Sequence, residues 1–321
     1  MAQLERPSLW RGVCLAVGVE TRAESLPTSG WPSVRPQHDE VRIDAAGATD
    51  VGRVRNVNED SFLIATLQRS VVVQDASPGA RGWFSGEPAG TLLVVADGMG
   101  GQGGGDVASR VGVETVVTYL LNTMPWKALP SAGAQRTSLP GVREELSSAL
   151  VAGDETVKSA GASTGVPHMG TTLTMAFVLW PVMYVAHVGD TRCYLWRAGQ
   201  LKCLTTDHTL AQKMAEMSKE PVDAGSPLNH VLWNSLGGSD ELPCPDISRV
   251  ELAVGDVILL CSDGLTKHVD DARVAQVLAA GGPCATRAAK LVELANQAGG
   301  SDNVTALVAQ LSPARASSGP A

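Results

Sequence analysis

Aromatic side chains are scarce in this sequence, at 4% of 321 residues. A packed interior must therefore be assembled mostly from Val, Leu and Ala, and 44% hydrophobic residues are ample for that. Positive charge is also in short supply: 25 Lys and Arg face 33 Asp and Glu, giving a formal charge of −8, with no basic block and no interleaving of basic with aromatic residues. Nucleic acid is thereby disfavoured as a partner, since binding to phosphate backbones requires concentrated positive charge. No run of 18 uninterrupted apolar residues occurs, so no membrane span is expected. The six cysteines, at 14, 193, 203, 244, 261 and 284, lack CxxC spacing, which leaves no zinc site and suggests reduced, partly buried thiols. The stretch Val13–Val17 is too short, and too soon broken by Gly18 and Glu20, for a secretory signal. A soluble cytoplasmic protein is expected.

What is present centres on Thr91–Gly101, where the apolar run Leu92-Leu93-Val94-Val95-Ala96 stops at Asp97 and glycines follow. Such a run reads as a strand buried on both faces. The same grammar returns at Val257–Gly264, where a buried run delivers Asp263 and then Gly264. Two further acidic clusters flank strand candidates: Asn58-Glu59-Asp60 before Ser61–Ile64, and Ser301-Asp302-Asn303 before Val304–Val308. Carboxylates gathered from distant segments repel one another unless cations lie between them, and hard oxygen-loving Mg²⁺ or Mn²⁺ suits such ligands.

Residues 1–42 are rich in Pro, Ser, Gly and Arg and read as a disordered or loosely attached extension, in which Val13–Val19 could add an edge strand. A catalytic domain is expected over 43–311 and a disordered tail over 312–321. A hairpin excursion is expected across 67–90 and a loop across 122–141. Helical periodicity places Val113, Val116, Val117, Leu120 and Leu121 on one face, and Val142, Leu146, Leu150 and Val157 on another. Strands follow at 170–178 and 183–188, a hairpin at 192–204, a short helix at 209–217, a mobile polar flap at 218–230, a hairpin of 249–253 with 257–261, two helices near 271–280 and 285–298, and a last strand at 304–311. Strands arriving as hairpins with helices in pairs fit an α+β class, a β-sandwich with helices on both outer faces.

Six motifs stand in order: Arg55-x-x-Asn58-Glu59-Asp60, Ala96–Gly101, Met169-Gly170-Thr171-Thr172, Val188-Gly189-Asp190-Thr191-Arg192, Cys261–Leu265 and Asp302–Thr305. In these the chain resembles the metal-dependent serine/threonine protein phosphatases of the type 2C (PPM) family, bacterial branch, over about 45–311. The resemblance implies a four-layer αββα sandwich with two divalent cations, Mn²⁺ or Mg²⁺, in a cleft at one end. Carried over by position, Asp97 bridges both metals, Glu59 and the Gly98 carbonyl complete the second, Asp263 and Asp302 hold the first, Asp60 stands beside them through water, and Arg55 binds the substrate phosphate. Two metals about 3.5–4 Å apart activate a shared water and aim it in line at phosphorus. An arginine fork matches two phosphoryl oxygens. The implied substrates are phosphoserine and phosphothreonine in proteins, with a bacterial Ser/Thr kinase as the opposing partner.

Two features depart from relatives. Met99 stands where many eukaryotic members carry a histidine discussed as a proton donor, which leaves leaving-group protonation to water on the metal. Gly165–Met169 lacks the acid that binds a third metal in many bacterial members, putting a third cation in doubt.

Blander readings stand beside these. Asp97 and Asp263 taken singly could be turn residues, since Asp-Gly is a common turn dipeptide. The glycines at 100, 101 and 103–105 lack the Gly-Lys-Ser/Thr ending of a P-loop. His187 reads as a satisfied core histidine and His168 as a loop residue without a role. Asp190 and Arg192 read as a pair bracing a turn, outside the site. Trp233 and the flap are candidate contacts for a phosphoprotein. Two alternatives to the protein phosphatase remain: a catalytically silent phosphoprotein-binding module on the same fold, and a phosphatase of a small phosphate ester.

Overall fold

The run Leu92–Ala96 divides its side chains between two interiors, as a strand buried on both faces must. Leu92, Val94 and Ala96 pack towards helices, while Leu93 and Val95 enter a core between two sheets. The computed structural model describes residues 41–72, 83–100, 103–124, 141–220, 222–223 and 225–313. The expected extension, the possible strand at 13–19, Cys14, the tip of the 67–90 excursion and most of the 122–141 loop lie outside the described residues, as does nearly all of the expected tail.

In chain order come β1 (Val41–Asp50), β2 (Asp60–Val72), β3 (Trp83–Met99), α1 (Gly105–Thr123), α2 (Val142–Thr164), β4 (Gly170–Thr171), β5 (Leu173–Leu179) and β6 (Val182–Val188). They are followed by β7 (Arg192–Arg197), β8 (Gln200–Cys203), α3 (Leu210–Ser218), a 3-10 turn at Pro227–His230, β9 (Leu236–Gly237), β10 (Asp246–Glu251) and β11 (Val257–Cys261). The chain closes with α4 (Asp263–Thr266), α5 (Asp271–Ala279), α6 (Cys284–Gln297) and β12 (Val304–Pro313). One sheet runs β1-β12-β11-β7-β8; the other runs β10-β6-β5-β3-β4-β9, with β2 also paired to β3.

Three apolar clusters give four layers. Val113, Val116, Leu120, Leu146 and Leu150 of α1 and α2 cover the second sheet. Val274, Leu278, Leu291 and Ala295 of α5 and α6 cover the first through Val257, Leu259, Val304 and Val308. Ile258, Leu260, Leu307 and Ala309 meet Leu93, Val95 and Val185 between the sheets. The α+β sandwich with flanking helix pairs is thus as expected. Its scarce rings are used sparingly, with Tyr194 and Phe177 the largest fully buried side chains.

Two expectations are corrected. The segments at 249–253 and 257–261 do not form a hairpin: β10 pairs with β6 at the edge of one sheet, and β11 lies between β12 and β7 in the other. The turn between them crosses the sandwich, because Asp256 accepts a hydrogen bond from the Ala253 N–H (2.8 Å) and both arms of the Arg197 fork (2.7 and 2.6 Å). The flap at 218–230 is not wholly irregular either. It contains the turn Pro227–His230, started by the Ser226 hydroxyl on the Leu228 N–H, and is fastened by a bridge of Thr209 to Leu232.

Candidate active site

The pairing scheme explains why acids distant in sequence converge. β2 and β3 are antiparallel, so the start of one lies beside the end of the other, and Asp60 stands directly opposite Asp97. β11 and β12 are antiparallel too, bringing Asp263, just after β11, beside Asp302, just before β12. One pole of the sandwich therefore collects both pairs. It opens into a cleft of about 1260 Å³ lined by Arg55, Glu59, Asp97, Gly98, Asp263 and Asp302. Asp60 lies just behind, buried.

Each acid is held by its motif neighbours. The Asp97 N–H donates to the Thr172 hydroxyl and the Thr171 hydroxyl donates to the Asp97 carbonyl, both at 2.9 Å, so the paired threonines frame the aspartate's backbone. Asp60 Oδ2 accepts from the hydroxyls of Ser262 and Thr305, each at 2.7 Å. Asn303 clasps the loop carrying Arg55 and Glu59: its Oδ1 accepts the Glu59 N–H, and its Nδ2 donates to the carbonyls of Val51 and Val57, all at 2.9 Å. Gly98 has no room for a side chain, since a Cβ would lie 1.9 Å from the Gly105 carbonyl oxygen.

Crowding sets the protonation of these acids. Loss of hydration, then the charges of Asp60 and Asp263, pushes Asp97 well above the ordinary carboxylate range. Burial raises Asp60 to about 7, although Ser262 and Thr305 favour its ionised form. Burial raises Glu59 as well, opposed by the backbone N–H of Gly105. Asp302 moves the other way: burial works against ionisation, but Lys267 and Arg55 together keep it below the usual range. Arg55 Nε lies 2.9 Å from Asp302 Oδ1, and Lys267 Nζ lies 2.5 Å from Asp263 and 2.9 Å from Asp302.

The donor set fits hard divalent cations. Asp60 Oδ1 and Asp263 Oδ1 are buried without a hydrogen-bond partner, and an excess of acid over base is concentrated at one pole. Glu59, Asp97, the Gly98 carbonyl, Asp263 and Asp302 could hold such ions. Among the described residues no three Asp, Glu, His or Cys side chains already converge as metal ligands do. Two basic side chains, Lys267 and Arg55, stand among the acids instead.

Asp190 and Arg192 require correction. They do not pair with each other: Arg192 forks onto Asp207, with Nε–Oδ1 at 2.8 Å and Nη2–Oδ2 at 2.7 Å, because Asp207 presents both oxygens from the segment after β8. Both Asp190 and Arg192 line the cleft. Burial and the nearby Asp263 raise Asp190 to about 8. His187 is a satisfied core residue, bonded to the Thr174 hydroxyl and the Thr206 carbonyl and lowered to about 4, first by burial and then by His208. Trp233 packs against the His208 ring, with the Lys213 ammonium 4.3 Å from its ring centre. His168 is exposed. Lys267, Asn303 and Ser262 carry no sequence signal of function beyond their position, each adjoining a motif acid or lying four residues from one.

A four-layer sandwich with a carboxylate-crowded pole and an arginine at its mouth is the arrangement of a cation-dependent phosphohydrolase. The chain belongs to the protein phosphatase 2C family, whose model matches residues 65–308. It is similar to the serine/threonine phosphatase stp of Listeria innocua, 31% identical over 268 residues that span 82% of this chain and 93% of that protein. The crystal structure of the Mycobacterium tuberculosis serine/threonine phosphatase PstP/Ppp matches with a TM-score of 0.65 at 29% identity, over 84% of this chain and 99% of that one. A structure of the PstP catalytic domain in complex with two manganese ions matches with a TM-score of 0.63 at 29% identity, over 85% of this chain and 99% of that one.

Proposed function

We propose that the chain is a metal-dependent protein phosphatase hydrolysing phosphoserine and phosphothreonine, in a cell where it opposes a serine/threonine kinase. The observation that carries this reading is the convergence of Glu59, Asp60, Asp97, Asp263 and Asp302 at one pole, in the fold of named serine/threonine phosphatases. Asp97 would be shared by two Mn²⁺ or Mg²⁺ ions, Glu59 and the Gly98 carbonyl completing one and Asp263 and Asp302 the other. When bound, the ions supply an activated water and neutralise phosphoryl oxygens. The remaining work belongs to the chain. Arg55, half-exposed at the mouth, offers its fork to a phosphate in place of Asp302. Asp60 keeps one oxygen saturated by Ser262 and Thr305, and its other oxygen, buried without a partner, is left as the candidate proton acceptor. Met99 carries no transferable proton, so protonation of the leaving oxygen would fall to water.

Residues 43–311 would form the catalytic domain. No helix among the described residues is long and apolar enough to cross a membrane, and we place the protein in the cytoplasm. Phosphate release from a phosphothreonine peptide, measured with Mn²⁺, with Mg²⁺ and with EDTA beside Asp263→Asn, tests the reading. Metal-dependent release that the variant lacks is the expected result. No release with any metal from folded protein would overturn it, and equal turnover of a sugar phosphate would overturn the choice of substrate.

A further inference from the structure

Lys267 sits four residues after Asp263, at the end of the short helix α4, a spacing that brings the two side chains together on one helical face. Its ammonium lies 2.5 Å from Asp263 Oδ2 and 2.9 Å from Asp302 Oδ2. One tethered cation thus bridges two of the acids assigned above to a divalent ion. Arg55 joins the same group through both oxygens of Asp302. The other half has no cation in direct contact: among the described residues Glu59 and Asp97 appear in no ion pair and feel the charge of Arg55 only from a distance, and the Asp60 carboxylate receives only hydroxyl donors.

We propose that Lys267 is a resident counter-cation of the Asp263–Asp302 pair, and that a divalent ion enters there by exchanging with it. The inference rests on the ligand assignment under Proposed function. A point charge on a flexible stem is suited to such exchange, since it can leave without breaking a bidentate fork. A divalent cation must then compete with an ammonium held at hydrogen-bond distance by two carboxylates, so this half fills after, and more weakly than, the half built from Asp97, Glu59 and Gly98. Displaced Lys267 remains in the cleft, where Asp190 is the next acid within reach of its charge. The site is therefore built to sense metal concentration: one ion is held firmly, and the second is admitted only when it outbids an internal cation.

Calorimetric titration of the full chain with Mn²⁺ tests this, with no substrate and no turnover. Wild-type protein should show two binding steps of different affinity. Lys267→Gln should tighten only the weaker step, by on the order of tenfold, the factor that corresponds to losing one modest competing interaction. Lys267→Arg, which keeps the charge, should retain a weak second step. An unchanged second step in Lys267→Gln, within about twofold, would overturn the proposal, as would equal tightening in Lys267→Arg. A measurement without substitution guards against a misfolded variant: in ¹⁵N-lysine-labelled protein the Lys267 ammonium should be protected from exchange in EDTA and released at saturating Mg²⁺, and protection that survives Mg²⁺ would also overturn it. Asp263→Asn separates this idea from its foundation. If that variant still binds two ions as wild type does, the ligand assignment itself is wrong, whatever Lys267 does.

Discussion

Replacing Asn303 by alanine removes three hydrogen bonds at once, at 2.9 Å each, between the start of β12 and the loop that carries Arg55 and Glu59. A net hydrogen bond contributes about 1 kcal/mol, so the upper figure is about 3 kcal/mol. The partners are part-buried, and water can reach some of them once the side chain is gone, which brings the expected loss to about 2 kcal/mol. The kinetic effect should exceed the stability effect. With the clasp gone, the Glu59 N–H loses its partner, and the loop carrying Arg55 keeps the Arg53 N–H to the Gly300 carbonyl at 2.7 Å, Asn58 Nδ2 to the Thr49 hydroxyl at 2.8 Å and the Gly98 N–H to the Glu59 carbonyl at 3.1 Å. A misplacement of about 1 Å at reacting groups costs roughly a hundredfold in rate, and that is the expected fall in kcat/KM on a phosphothreonine peptide. Urea unfolding in EDTA gives the first number and steady-state kinetics at saturating Mn²⁺ the second. Asn303→Asp should be no milder than alanine, because it points a carboxylate oxygen at two carbonyls and adds another acid. A stability loss below about 0.5 kcal/mol, the size of an ordinary surface substitution, with unchanged kcat/KM would refute the clasp.

In metal-free protein, stability should fall as pH rises from 6.5 to 8.5. Asp60 and Asp190 are raised to about 7 and about 8, so the folded state binds more protons than the unfolded state and loses that advantage as they ionise. His187, lowered to about 4, acts in the opposite direction, but its contribution is complete above pH 6.5; denaturation midpoints in EDTA that rise across the window would contradict this. Asp97→Asn should abolish turnover while raising the melting temperature in EDTA, since it removes an acid whose ionised form burial and the neighbouring Asp60 and Asp263 disfavour in the folded state. Asp263→Asn should abolish turnover without that gain, because Lys267 loses a partner 2.5 Å away; matching shifts in the two variants would refute the distinction. Arg192→Lys, which cannot reproduce the fork onto Asp207, should lose about 1–2 kcal/mol in urea unfolding.

Layer architecture was readable in the sequence because strands buried on both faces cannot hide. Leu92–Ala96 and Val257–Cys261 are continuous apolar runs only because alternate residues feed different cores. Which strands pair was less readable. Val250 and Ile258 both enter the inter-sheet core, so the apolar pattern of 249–261 is the same for a hairpin within one sheet and for a crossing between two. The deciding group is Asp256, a buried turn carboxylate held by Arg197, 59 positions away. Local pattern carries no information about such a partner.

The same limit separates what was legible at the site from what was not. Asp97 and Asp263 announce themselves because each interrupts a buried strand at its end, where an unpaired acid is costly unless it has work to do. Asp190 does the same two residues after Val188, yet a carboxylate two residues from an arginine reads in sequence as its partner. Asp190, however, lies in the bend after β6 whereas Arg192 opens β7, so closeness in sequence does not make them partners. Which of two nearby acids receives the fork depends on where the segment after β8 returns, and that segment brings Asp207. Freed from that pairing, Asp190 is left as a partly buried acid in the cleft, within reach of the charge of Lys267. The acids were found by their cost to the fold, whereas the cations that balance them lie on exposed or helical positions where a Lys or Arg costs nothing, so only the folded arrangement distinguishes Lys267 from any other surface lysine.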